Sequence, residues 1–163
     1  KEGVLVNETV DFNLSAACLS KFCRLSFINR NKTAANAKQF VESLGIKTPS
    51  IFQMVRNLSG GNQQKVVVGK WLAADCDIYI FDEPTKGVDV GAKAEIFKLI
   101  NEIAKQGNCV LYASCENSEI LSITDRTYVR FDGRIIAELK TAETCEDEIM
   151  HYAVGGTEAF VAS

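Results

Sequence analysis

No apolar run in the 163-residue sequence approaches the roughly 20 residues that span a bilayer; Val66–Val68, Ile78–Phe81 and Cys109–Ala113 are all short. No segment is therefore expected to cross a membrane. An excess of positive charge is also lacking, because 18 Lys and Arg stand against 21 Asp and Glu for a net charge of -3. Non-specific nucleic-acid binding draws on Lys and Arg neutralising phosphates, so no nucleic-acid partner is expected. None of the six cysteines forms the close C-x-x-C pair of a zinc or redox site, and all are read as reduced, packing thiols. There is one histidine, His151, and no internal repeat or low-complexity stretch. What the sequence does have is apolar content: 47% of its residues are hydrophobic and 24% charged. That is enough for a globular domain that buries roughly 70% of its unfolded surface without disulfides or metals.

Apolar periodicity and stop signals divide the chain. A helix is expected from Asn31, which can cap it, to Gly45, with Ala37, Phe40, Val41 and Leu44 on one face. An earlier helical piece is expected over Phe12 to Phe22, and Thr48-Pro49-Ser50 marks a break. Beyond it, Ile78-Tyr79-Ile80-Phe81 reads as a buried strand, Val90 to Gln106 as a helix presenting Ile96, Phe97, Ile100 and Ile103 inward, and Cys109 to Ala113 as a second strand. Together they make a parallel βαβ unit. Thr127 to Phe131 and Arg134 to Leu139 flank Asp132-Gly133, the favoured sequence for a two-residue hairpin turn.

Two stretches carry candidate chemistry. In Leu58-Ser59-Gly60-Gly61-Asn62-Gln63-Gln64-Lys65, a serine and two glycines open a helix, an arrangement that suits an anion. Ser59 can cap it, the glycines admit a phosphate close to backbone N–H groups, and the helix dipole favours negative charge. Asn62, Gln63 and Gln64 are poor helix-interior choices but good hydrogen-bond partners for nucleotide or water. Taken alone, the stretch is equally an ordinary Gly-rich turn. In Ile78 to Thr85, a strand ends in adjacent carboxylates, Asp82 and Glu83. In nucleotide hydrolases the first such carboxylate holds Mg2+ and a neighbour orients or deprotonates the attacking water. Taken alone, this too is equally a solvated strand end before the turn at Pro84.

Together the stretches resemble ABC transporter ATPases. Leu58 to Gln64 is similar to the family's signature motif, Phe81-Asp82-Glu83-Pro84 to the end of Walker B, and Lys86-Gly87-Val88-Asp89 to the D-loop, in the family's order. Asn62-Gln63-Gln64-Lys65 and Lys86 to Lys93 further resemble the second ATPase half of tandem carbohydrate importers of the ribose, galactose and xylose type. The resemblance reaches to about Gly156. It implies an α/β fold: a partial P-loop NTPase core with a helical subdomain portion over 1–58, the signature helix, Walker B, D-loop and switch strand over 59–140, and a C-terminal helix and tail over 141–163.

The same resemblance implies ATP and Mg2+ as cofactors. It assigns nucleotide contacts to Ser59, Gly60, Gly61, Asn62, Gln63, Asp89 and Cys115, the metal to Asp82 and the catalytic role to Glu83. Its partners would be a second nucleotide-binding half, whose ATP the signature closes over, and a transmembrane permease, with the domain peripheral on the cytoplasmic face of the membrane. Two departures are visible. The family's G-x-x-x-x-G-K-[ST] phosphate loop does not occur, since the Gly69-Lys70 pair is followed by Trp71. The Walker A strand and loop are thus expected to be absent, and the chain alone is not expected to hydrolyse ATP. Cys115 stands where many members carry a switch histidine, and a neutral thiol is a weak hydrogen-bond partner. A function of another class stays open on these grounds: a non-catalytic, ATPase-like scaffold or regulatory fragment.

Overall fold

A computed structural model of the chain describes residues 3–25 and 27–156. The order is α1 (Val10–Ala16), α2 (Leu19–Phe22), β1 (Cys23–Arg24), β2 (Phe27–Ile28), α3 (Arg30–Ser43), a 3-10 turn (Val55–Asn57), α4 (Gly60–Ala74), β3 (Ile78–Asp82), α5 (Val90–Lys105), β4 (Cys109–Ala113), α6 (Asn117–Ile123), β5 (Arg126–Phe131), β6 (Arg134–Lys140), a second 3-10 turn (Thr141–Glu143) and α7 (Glu146–Ala153). The single helix expected over Phe12 to Phe22 is broken, because Cys18 leaves the helical region at φ -132° and ψ 28° before α2 begins. Asn29, two residues before the expected Asn31, caps α3: its side chain accepts the Lys32 N–H at 3.2 Å, the spacing a capping oxygen needs.

The chain divides into two compact units, one reaching to Tyr79 and including Pro84–Val110, the other comprising Ile80–Glu83 and the chain from Leu111 on. In the first, α1 packs on α3 and α4 around Val10, Leu14, Ala37, Leu44, Val55 and Val66. Gly69 permits the close approach: a Cβ there would sit 2.7 Å from Leu14 Cδ2 and 2.8 Å from Leu44 Cδ1. On α5, Ile96, Ile100 and Ile103 are buried as the 3.6-residue period requires, while Phe97 beside them is only half-buried.

In the second unit Ile120, Val129 and Ile149 form a small core with Tyr112, Leu139 and Tyr152 packed on it. β5 and β6 are the expected antiparallel hairpin, and Asp132 (φ 45°) and Gly133 (φ 79°) are both left-handed, as a two-residue type I′ turn demands. The Thr141 hydroxyl lies 2.8 Å from that of Thr127 and 2.9 Å from that of Thr124, tying the hairpin to the end of α6.

β3 and β4 pair with each other, and each contributes residues to both units. Cys109 N–H donates to Asp77 O and Glu83 N–H to Ala113 O, both at 2.9 Å, so the pairing advances in the same direction on both strands and is parallel. The buried strand expected at Ile78 to Phe81 is buried on one face only. Tyr79 and Phe81 are covered, but Ile78 and Ile80 are 62% and 70% exposed because, among the described residues, nothing packs on the opposite side of the pleat. Among the described residues β4 and β5 lie in separate two-stranded sheets. All six cysteines are free thiols, but Cys23, Cys109, Cys115 and Cys145 are exposed, so a packing role holds for buried Cys18 and not for those four.

Candidate functional site

The signature stretch begins where the 3-10 turn ends. Ser59 is extended (φ -61°, ψ 157°) and α4 starts at Gly60. Gln63 is buried, and its Nε2 donates to Val55 O at 3.1 Å and Leu58 O at 3.0 Å, which fixes the angle at which the chain enters the helix. Asn62 works on both sides of the turn: its Nδ2 donates to Ser59 Oγ at 2.8 Å and its Oδ1 accepts the Lys47 N–H at 2.7 Å. The expected capping bond from Ser59 is not made, because the hydroxyl oxygen accepts from Asn62 instead. Helix α4 therefore opens without a side-chain cap on its first N–H groups, which lie outside the intrahelical ladder. One turn on, buried Lys65 donates to Gly45 O at 3.1 Å and pairs with Glu95 of α5 at 2.7 Å. That hydrogen bond and charge hold the exposed Glu95 carboxyl below its usual range.

The same unit brings Asp89 to this helix. Asp89 caps α5, accepting the Ala92 N–H at 3.0 Å. A Cβ on Gly61 would fall 2.7 Å from Ala92 Cβ and 3.9 Å from Val88 Cγ1, and one on Gly60 would lie 3.9 Å from Gly87 O. Glycine at 61 is thus required by the first turn of α5, a contact that no local feature of Ser59-Gly60-Gly61 reveals.

Asp82, Glu83 and Cys115 sit together in the other unit. Asp82 is exposed at the end of β3. Glu83 has a left-handed backbone (φ 47°) immediately before Pro84, a conformation that costs a non-glycine residue about 1–2 kcal/mol. Two bonds hold it there: its N–H donates to Ala113 O at 2.9 Å, and its Oε1 accepts the Cys115 N–H at 2.7 Å. Behind them lies a group that the sequence reading missed. Glu119 is 4% exposed and accepts hydroxyl hydrogen bonds from Tyr112 at 2.7 Å and Ser114 at 2.9 Å. An acid in the first turn of a short helix looks solvent-facing in sequence, so no signal was available. Among the described residues no cluster of three or more His, Cys, Asp or Glu is set to hold a metal by itself. Mg2+ asks for less, taking one or two carboxylates and otherwise water and phosphate oxygens, and Asp82 fits that demand. His151 lies on α7 with its ring edge-to-face against Tyr152, 5.1 Å between centroids.

A parallel βαβ unit whose first strand ends in carboxylates is an arrangement found in P-loop-type nucleotide-binding folds, among other α/β folds. A model of the ABC transporter family matches residues 4–86, just over half of the sequence, and the chain belongs to that family. It is 44% identical over 154 residues to the xylose import ATP-binding protein XylG of Thermoanaerobacter pseudethanolicus, covering 94% of this chain and 30% of that protein. It is 41% identical to the ribose import ATP-binding protein RbsA of Clostridium tetani, covering 94% of this chain and 31% of that protein. The chain thus spans about a third of the length of these curated relatives. Its fold is that of part of an ATP-binding cassette domain. An inward-facing metal-chelate type ABC transporter superposes with a TM-score of 0.77 at 16% identity, over 92% of this chain and 60% of that one. A dimeric cassette in a post-hydrolysis state with ADP and phosphate gives 0.70 at 19% identity, over 85% of this chain and 59% of that one. No helix among the described residues is long and apolar enough to cross a membrane.

Proposed function

We propose that the chain is the signature-bearing portion of the ATP-binding subunit of a carbohydrate importer, closing over ATP held by a second nucleotide-binding half. The observation that carries this reading is the uncapped start of α4: Asn62 donates to Ser59 Oγ, which leaves the Ser59 proton and the first backbone N–H groups of the helix to face an anion. Ser59, Gly60 and Gly61 are the residues that would meet the γ-phosphate. Asn62 and Gln63 shape that contact through the bonds they already make, and Asp89 sets the turn against which Gly61 packs. Asp82 and Glu83 serve the site of this chain's own half, Asp82 toward Mg2+ and Glu83 toward the attacking water. Mg2+ bound with nucleotide there would neutralise charge on the β- and γ-phosphate oxygens. The identity of 41–46% to sugar-import ATP-binding proteins supports a membrane permease as the driven partner and a peripheral position at the cytoplasmic face.

The test is made in the complete ATP-binding protein reconstituted with its permease. Ser59→Arg, by bulk, and Gly61→Asp, by collision with Ala92 as well as by setting a carboxylate against phosphate, are expected to lower ATP-driven transport by about a hundredfold, the size of losing a preorganised donor at a reacting centre, with nucleotide binding changed less. Transport and hydrolysis unchanged in either variant would show that the stretch is only a turn. A second reading, a non-catalytic ATPase-like scaffold, is favoured by Cys115 at the position of the switch histidine. Magnesium-dependent hydrolysis by the complete protein that Glu83→Gln abolishes would exclude it.

A further inference from the structure

Glu119 is the most buried carboxylate among the described residues, and a buried acid is retained only where donors compensate its lost hydration. Its Oε2 accepts from the Tyr112 and Ser114 hydroxyls at 2.7 and 2.9 Å, one on β4 and one just beyond it. Ser114 Oγ in turn accepts the Glu116 N–H at 3.0 Å. The turn from Ser114 to Glu116 is therefore pinned on both sides of Cys115. Within that turn the Cys115 N–H is the group that meets Glu83 Oε1, at 2.7 Å, while the Glu83 N–H closes back on Ala113 O. A carboxylate accepting a short backbone hydrogen bond is held in one orientation, and its second oxygen is directed by the first. The path from Glu119 to Glu83 thus runs through hydrogen bonds at its two ends and the covalent backbone of the Ser114–Glu116 turn between them, within one compact unit.

We propose that Glu119 is a positioning residue for Glu83, acting through the Ser114–Glu116 turn, and that position 115 serves Glu83 through its main-chain N–H rather than its side chain. Any residue except proline supplies that N–H, which gives a physical reason why a thiol can stand there. The catalytic consequence rests on the reading of Glu83 as the carboxylate that acts on water; the positioning itself does not.

Amide hydrogen exchange at residue 115, followed by NMR in the 163-residue chain, tests the positioning without requiring turnover. Glu83→Ala removes the acceptor and is expected to speed that exchange by at least about tenfold, the size of one charge-assisted hydrogen bond. Glu119→Ala is expected to do the same while the Ile149 amide, bonded to Cys145 O on α7, keeps its protection. Glu119→Gln retains an oxygen that accepts both hydroxyls and should restore slow exchange, and Cys115→Ala should preserve it. Slow exchange at 115 in Glu119→Ala, or an equal loss of protection at 115 and Ile149, overturns the proposal. If Glu119→Ala does not fold, Ser114→Ala carries the same expectation, and unchanged exchange at 115 in that variant overturns it equally. In the complete ATP-binding protein, Glu119→Ala should lower kcat by about tenfold or more with little change in KM for ATP, and Glu119→Gln should recover it. Exchange as expected with kcat unchanged would uphold the positioning and overturn the catalytic reading of Glu83 instead.

Discussion

The signature region and the carboxylate strand end are built on opposite principles. Around α4 the packing is tight: Gly61 and Gly69 each sit where one added carbon would collide with a neighbouring side chain, and the Asn62 amide, the Gln63 Nε2 and the Lys65 ammonium are spent on backbone groups or on the chain's own side chains. Around β3 and β4 the surroundings are open. Ile78, Ile80 and Leu111 face solvent, β4 pairs only with β3 among the described residues, and Glu83 keeps a strained backbone on two hydrogen bonds. A helix start can be preorganised by packing from within one unit. A carboxylate at the tip of a strand instead depends on its neighbours along the sheet, here Ala113 at the end of β4 and the Cys115 N–H just beyond it.

Truncating the packed side should produce the largest effect. Leu14 is fully buried between α1 and α4, so Leu14→Ala is expected to cost about 2–5 kcal/mol, read as a fall in the urea midpoint. A loss below about 1 kcal/mol would mean that this region is no better packed than the strand end. The open side makes the next prediction. In monomeric chain, the amides of Cys109–Ala113 should exchange roughly a hundredfold faster than those of α1, because a two-stranded sheet opens locally at lower free energy than a packed helix. Equal protection would erase the contrast.

A smaller effect sharpens it. Gly61→Ala places a methyl group 2.7 Å from Ala92 Cβ and should destabilise by about 1–3 kcal/mol despite the better helix former, with Ala92→Gly in the double variant recovering part of the loss. Additive losses would show that the two positions do not meet. The smallest effect is electrostatic. Lys65 holds the Glu95 carboxyl below its usual value, so the pair contributes where Glu95 is ionised in both folded and unfolded chains, above the ordinary glutamate value of about 4.3. That contribution falls away as pH drops through the depressed folded value. Glu95 is largely exposed and its charge is screened, so Glu95→Gln should flatten the acid limb of a stability profile only slightly, with little effect at neutral pH.

Much of this was legible in residue order. The period of Ile96, Ile100 and Ile103, the Asp132-Gly133 turn and the parallel βαβ unit are local or nearly local properties, fixed by side-chain spacing and turn chemistry, and they stand in the fold. The order of signature, strand-end carboxylates and Lys86–Asp89 likewise identified the family before any contact was known. Local pattern failed where several groups compete for one partner. Asn29 took the cap from Asn31, and Ser59 turned its oxygen to the Asn62 side chain instead of to the backbone of its helix, because hydrogen-bond choice depends on which group arrives in space. It failed also where burial depends on what covers a face: an unbroken apolar run says that Ile78 and Ile80 can be buried, and only the assembled layers decide that they are not. Glu119 is the reverse case, a charged residue whose composition and position say surface. Only the tertiary structure, by bringing the Tyr112 and Ser114 hydroxyls to it, supplies the donors that make its burial stable.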